Sequence, residues 1–367
     1  MKYRIFSQAL SIAAMAGMGF VAAAQADEVA DFYKDKTITL LISTGVGGSN
    51  DLNARTLLQY MTKYIPGNPS VKPVNMPGAG HVRASNFIYN KAPNDGTYIG
   101  AFVRFYVLHQ AMGGKGVKYD ATKFGYLGST SVSNVVLGTW HTTGIKKFDD
   151  LKSKELIVGG TGVGSGTVIF PTLFNNVMGA KMKIVQGYKS GHMIDLAMER
   201  GEVFGRAGFT FESIESTHPD WLKENKFNIL TQVGLRKEAG YEHIPMATEL
   251  TNDKDDKSVI NIFAGVVAVG SPIFTNQGVP KARLDALRTA FNATLKDPAY
   301  IAAMQKARLS IKPTSGEELT EIVSGIINAP PAIIAKARSV MSKKQLVPCK
   351  SFTSAKYCQA ARKKKKG

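Results

Sequence analysis

The sequence predicts an α/β fold of two doubly wound lobes that face each other across a hinged cleft. Three observations predict it. Strand-like and helix-like patterns alternate along most of the chain, as a parallel sheet with helices on its faces requires. A unit of strand, glycine turn and capped helix occurs near the start and again near the middle, without close sequence repetition. The chain, 367 residues in all, is also longer than one hydrophobic core comfortably serves.

The first unit is ITLLISTGVGGSNDLNAR, residues 38–55. Thr37–Ser43 reads as a strand that halts at Gly45, Gly47 and Gly48. Ser49-Asn50-Asp51 then opens a helix running to Tyr64. Free N–H groups and the positive end of a helix dipole converge at such a turn, which suits an anion. Val71–Asn75 is the next strand, and Pro77-Gly78-Ala79-Gly80 turns into a helix ending near Asn90. Asn94-Asp95-Gly96 precedes the strand Thr97–Phe102.

After a less regular stretch, Phe124–Gly128 and Val135–Thr139 read as strands. The second unit follows: strand Leu156–Gly159, glycine turn 159–166, helix Thr167–Met178 and strand Lys183–Gln186. Tyr188–His192 is a turn, Met193–Arg200 a helix, and Glu202–Ala207 and Ile229–Val233 strands. Thr251–Lys257 reads as a charged loop and Ile262–Val269 as a strand buried on both faces. Pro280–Leu295 and Glu317–Ile327 read as helices.

The chain is expected to cross between lobes near 103–128 and again near 232–270. That gives a first lobe of 27–102 plus about 232–345 and a second of 103–231, with 346–367 as a C-terminal extension. Ligands of open parallel sheets sit beyond the carboxyl ends of the strands, where the glycine turns fall.

Residues 1–26 read as a cleavable leader: Lys2 and Arg4, an apolar stretch, then Ala24-Gln25-Ala26. Cleavage there leaves 341 of 367 residues and lowers the net charge from +18 to +16, because residues 1–26 contain no acid. Five positive charges sit in the last six residues as a solvated tail. Export and the lack of aromatic-interleaved basic motifs argue against nucleic acid. Cys349 and Cys358 are close in sequence, and an oxidising compartment favours a structural disulfide contributing about 2–3 kcal/mol.

Enzyme chemistry finds little support. Gly160-Thr161-Gly162-Val163-Gly164-Ser165-Gly166 loosely resembles a dinucleotide turn, but the acid expected about 20 residues on is replaced by Ala180, Lys181 and Lys183. Ser165 lacks the flanking glycines of a nucleophile elbow, since Val163 and Thr167 stand there. The six histidines, at 81, 109, 141, 192, 218 and 243, include no i, i+4 pair for a metal. No cofactor, metal or catalytic residue is therefore expected. Facing glycine loops backed by helix N-termini suit a binding protein instead, because fixed backbone donors reorganise little when a carboxylate arrives.

At these residues the chain resembles the receptor of tripartite tricarboxylate transporters, the Bug family. The resemblance rests on Phe32-Tyr33-Lys34 through residue 55, Asn75–His81 (NMPGAGH), PNDGTYIGAF (93–102), GGTGVGSGT (159–167), VQGYKSGHMIDLAMERGEV (185–203), IPMATEL (244–250) and VPKARLDALRTAFNATLKDP (279–298). It implies a type II periplasmic-binding-protein fold and a monomeric periplasmic receptor. It implies capture of a small organic carboxylate and delivery to a two-component integral membrane permease. The alternatives are a sensor for a membrane signalling partner and an exported enzyme on the same scaffold.

The resemblance carries ligand-binding roles onto Gly47, Gly48, Ser49, Asn50 and Asp51, and onto Gly78, Ala79 and Gly80. In the second lobe it carries them onto Gly164, Ser165, Gly166, Thr167, Tyr188 and Lys189. The residues themselves leave roles open. Asp51 caps its helix or faces ligand water. Lys189 pairs with a carboxylate or is solvated. Arg104, past the end of a strand, points to the cleft or lies on the surface. Arg206 ends a strand-like run and needs an anionic partner, either a ligand or an acid such as Glu202 or Glu212. Phe209, Phe102 and Tyr188 wall the ligand or pack the core.

Overall fold

A computed structural model describes residues 28–342, apart from Gly48, Val163 and Lys189, together with residues 346–348. The leader, the two cysteines, the basic tail, Gly48 and Lys189 lie outside the described residues. No helix among those described is long and apolar enough to cross a membrane.

The chain forms two six-stranded sheets. After α1 (28–33) come β1 (Thr37–Ile42), α2 (Ser49–Met61), β2 (Ser70–Asn75), α3 (Val82–Asn90), β3 (Tyr98–Ala101), α4 (Phe105–Ala111) and β4 (Gly125–Ser129). The second sheet follows with β5 (Val135–Trp140), β6 (Leu156–Gly160), α5 (Gly166–Met178), β7 (Met182–Gln186), α6 (Gly191–Glu199) and β8 (Gly205–Thr210). It continues with α7 (Phe211–Thr217), α8 (Pro219–Lys223), β9 (Phe227–Val233) and α9 (Lys254–Ala268). The chain then returns through β10 (Pro272–Thr275), α10 (Lys281–Thr294), α11 (Pro298–Lys306), β11 (Thr314–Ser315) and α12 (Gly316–Ile327). It ends in α13 (Pro331–Ser342) and β12 (Leu346–Pro348).

The first sheet has the order β11-β4-β10-β3-β1-β2 and the second β12-β7-β6-β8-β5-β9. β1, β2 and β3 are parallel in register, with Ile42 beside both Asn75 and Ala101. β1 is flanked on both sides, and its side chains Ile38, Leu40, Leu41 and Ile42 are all buried, which is why an unbroken apolar run forms it. β6, β7 and β8 repeat the parallel arrangement, with Gly160 beside Gln186. The carboxyl ends of these strands and the glycine turns after them form one edge of each sheet.

The chain passes between the sheets three times, the last time through α12 and α13 to β12. Two of these crossings, at 130–134 and 269–271, are short. They bond to each other, Thr130 N–H to Ser271 O at 3.2 Å and Ser271 N–H to Ser131 O at 3.1 Å. β4, from the stretch expected in the second lobe, pairs with β10 and β11 in the first sheet. α13 packs on α5 and α9, and β12 extends the second sheet beside β7.

Two elements differ from expectation. Ile262–Val269 is not a strand: all but its last residue belongs to α9. A short apolar run has no period that separates a buried strand from a buried helix. The deciding signal lies upstream, where the Asp253 carboxylate accepts the Asp256 N–H at 2.8 Å and caps the helix. The strand expected over 202–207 begins instead at Gly205 and runs to Thr210, so Arg206 is its second residue and not its last.

Candidate functional site

At the edge of the first sheet, the loop after β1 is tied to its neighbours. The Ser43 hydroxyl accepts the Val103 N–H at 3.1 Å and meets His81 Nδ1 at 3.0 Å. Asp51 is 3% exposed and organises the glycine turn beside it. Its carboxylate accepts from Asn75 Nδ2 at 2.8 Å, Gly47 N at 3.0 Å and Arg55 Nε at 2.9 Å. Burial alone would raise its pKa, but these bonds and the Arg55 charge outweigh it and hold the carboxyl below its ordinary value. The Gly47 amide, expected to meet a ligand, is therefore already taken by Asp51.

The loop 78–81 lies wholly in positive-φ conformations: Gly78 at 135°, Ala79 at 49°, Gly80 at 59° and His81 at 77°. Two of these residues are not glycine, so the loop is strained and must be held by its surroundings. A Cβ on Gly80 would sit 2.4 Å from His109 Nε2. A Cβ on Gly164, in the second lobe, would sit 3.6 Å from the same imidazole at Cε1. His109, on α4, thus stands between the glycine loops of both lobes.

In the second lobe, Ser165 at the N-cap of α5 does not cap it. Its hydroxyl donates to Gly162 O at 2.7 Å and accepts from Thr161 Oγ1 at 2.8 Å. The first-turn amides of Gly166 and Thr167 have no acceptor among the described residues. Gly208 of β8, at φ 73°, passes directly beneath this helix end: a Cβ there would lie 2.3 Å from Gly166 C and 2.6 Å from Thr167 N.

Five buried side-chain polar atoms at these strand ends, or in the helices that follow them, have no hydrogen-bond partner among the described residues. They are Thr44 Oγ1, Asn50 Nδ2, Arg104 Nε, His109 Nε2 and Gln186 Nε2. Buried polar groups are almost always satisfied, so five at or just after the carboxyl ends of the parallel strands require an explanation. Arg104 makes no ion pair among the described residues. Burial lowers its pKa to about 10, against the opposing pull of the Glu212 carboxylate. Burial likewise lowers that of His109, and lowers His81 to about 4, with a hydrogen bond to the Ser43 carbonyl opposing and His109 adding to the drop. One buried guanidinium without an ion-pair partner among the described residues, set beside neutral imidazoles and amide donors, favours an anion from outside the chain.

No protein-family model matches the sequence, and no curated protein matches it. Solved structures do. A TctC solute-binding protein from Polaromonas superposes with a TM-score of 0.64 at 15% identity, covering 85% of this chain and 100% of its own. The fold is that of a two-lobed periplasmic binding protein. MatC from Rhodopseudomonas palustris with bound malate gives 0.59 at 17% identity, over 83% of this chain and 99% of the other. A second R. palustris protein, with adipate, gives 0.58 at 18% identity, over 84% and 97%.

Within this binding-protein fold the expected residues separate. Gly78, Ala79, Gly80 and Gly164 occupy the loops at the strand ends, Gly166 and Thr167 begin α5, and Ser49 and Asn50 open α2. Arg104 lies among the unsatisfied donors. Tyr188 is 1% exposed and Phe209 3%, both inside a cluster with Trp140, Trp221 and Phe227, so they pack the second lobe and do not wall an open gap. Phe102 is fully buried against Phe274.

Arg206 has its anionic partner within the lobe, and that partner is Asp195, not Glu202 or Glu212. Its guanidinium carbon also lies 3.8 Å from the centre of the Phe209 ring. Asp195 was invisible as a partner because it faces β8 only once α6 packs on the sheet. Thr44, His109 and Gln186 were missed for a similar reason. Only Gln186 had a sequence signal, as the last residue of a strand before a glycine.

A cavity of about 410 Å³ opens elsewhere, beside the crossings, lined by Asn134, Glu238 and Lys312 among others. There Glu238 accepts the Asn134 N–H at 2.7 Å and pairs with Lys312. No buried side-chain atom lining it lacks a partner, so it has no unmet demand for a ligand.

Proposed function

We propose that this chain is an extracytoplasmic receptor of the tripartite tricarboxylate, Bug-type class. It captures a small organic carboxylate between its lobes and passes it to an integral membrane permease. The observation that supports this most is the set of five buried groups at or after the strand ends that lack partners among the described residues, which includes Arg104 Nε. A carboxylate presents acceptors only, and it meets amide, guanidinium and hydroxyl donors without forcing any to face another donor. The malate and adipate of two structural neighbours are ligands of this chemistry.

Capture needs both lobes. Arg104 and Asn50 belong to the first, Gln186 and the α5 N-terminus to the second, so one anion can satisfy groups on both sides only when the lobes are together. Native mass spectrometry of protein purified without refolding will show a carried acid of low mass. Calorimetry with mono-, di- and tricarboxylates then ranks affinity. Absence of both a carried acid and any carboxylate with a Kd below about 1 mM would overturn the reading.

A further inference from the structure

On the second lobe, α6 and the corner between α7 and α8 bring together His192, Asp195 and His218, whose ligand atoms all lie within 4.8 Å of one another. We propose that these three side chains form a site for a divalent transition-metal ion of the zinc type, independent of whatever the cleft holds.

His192 and Asp195 stand three residues apart on α6 and so share a face. His218 comes from a distant part of the chain and presents Nε2 to Asp195 Oδ2 at 3.0 Å. In a tetrahedral site with bonds near 2.0–2.1 Å, neighbouring ligand atoms lie about 3.4 Å apart, so this pair is already close to that separation. His192 is exposed, and its ring lies nearly parallel to that of His218, at 14° and 6.5 Å between centroids. Rotation of this free side chain brings its nitrogen in.

The other two ligands are held from behind. The His218 ring stacks on Trp221 at 3.9 Å and 15°. Asp195 gives its second oxygen to Arg206, which in turn lies over Phe209. Fixing a ligating carboxylate through a hydrogen bond on its far oxygen is the usual arrangement around bound metals. Two imidazoles and one carboxylate suit zinc, copper or nickel, whereas magnesium and calcium take oxygen ligands. The positive charge of Arg206 opposes a dication, so micromolar affinity is expected.

The competing account is a hydrogen-bonded strut, Arg206–Asp195–His218, with no ion. That account gives His192 no part, and His192 separates the two. The test titrates untagged, chelator-stripped full chain with zinc chloride and with magnesium chloride by calorimetry. Expected are one equivalent of zinc at micromolar Kd and no magnesium. His192→Ala is expected to weaken zinc at least tenfold without moving the melting temperature of metal-free protein. His141→Ala, at another exposed histidine, should leave zinc binding unchanged. Absence of saturable one-equivalent binding, or equal zinc affinity in His192→Ala, overturns the site.

Discussion

Two arginines that look alike in the sequence have opposite surroundings, and this sets their expected behaviour. Arg206 is buried at 8% exposure and paired with Asp195. Removing it leaves Asp195 a buried carboxylate without its guanidinium partner, at a cost of about 3–5 kcal/mol. Arg104 makes no direct ion pair among the described residues, and Glu212 acts on it only at a distance, so Arg104→Ala removes a buried cation without breaking a pair. Arg206→Ala should therefore lower the melting temperature and leave carboxylate affinity intact. Arg104→Ala should keep or raise the melting temperature and weaken affinity more than tenfold, a loss above about 1.4 kcal/mol. Calorimetry and thermal melts on both variants check this, and an unchanged affinity in Arg104→Ala counts against its role.

The same residue scale gives a pH dependence. His81 has its pKa lowered to about 4 by burial, so the folded protein resists its protonation while the unfolded chain takes up the proton near the ordinary 6.5. Between those values the unfolded state binds more protons, and stability rises with pH through that window. The full effect is up to ~3 kcal/mol, lost on acidification from about pH 6.5 to about pH 4. His109 is shifted in the same direction and adds to the slope. Asp51 acts lower, since a depressed carboxyl loses its contribution only as pH falls below its ordinary range. Urea unfolding at pH 7, 5.5 and 4.5 should show the slope, and His81→Gln should flatten it if that variant still folds.

At the scale of elements, the strand, glycine turn and helix units were legible because their apolar periods and glycines are local. The glycine loops were placed at the strand ends from the same signals. α9 was not, because its apolar half imitates a buried strand and its cap at Asp253 lies in a segment that reads as loop. His109 was not legible either, because its meaning comes from two loops, 78–81 and 161–166, that only tertiary packing brings to it. Gly208 shows how tightly one such loop is built. Alanine there must adopt a left-handed backbone and press on Gly166 C, for about 2–4 kcal/mol in total. Gly208→Ala should lower the melting temperature and weaken ligand capture by displacing the α5 N-terminus. Gly162→Ala, in the turn that Gly208 packs beneath but with nothing within 4 Å of the added Cβ, should do neither. Equal effects of the two would show that the close approach is not what the site depends on.

Across the whole molecule, the two short crossings are the expected hinge, because they run directly from one sheet to the other and bond to each other. Gly270 sits in one of them at φ 64°, where a Cβ would lie 2.3 Å from Ser131 O of the other crossing and 2.5 Å from Ser129 Oγ. No side chain fits without separating the two segments, and the bonds between Ser271 and residues 130–131 hold them in contact. A hinge absorbs its rotation at a few such positions, so a change here alters the balance between open and closed forms without touching the ligand. Small-angle scattering of the native chain should show the radius of gyration fall on saturation with a bound carboxylate. Gly270→Ala should weaken affinity and blunt that contraction, while ligand added in excess of the new Kd restores part of it, since binding energy draws the lobes together. A native chain that binds tightly with no change in radius would mean that the donors of the two lobes are already assembled before the ligand arrives. Gly270→Ala would then alter stability alone.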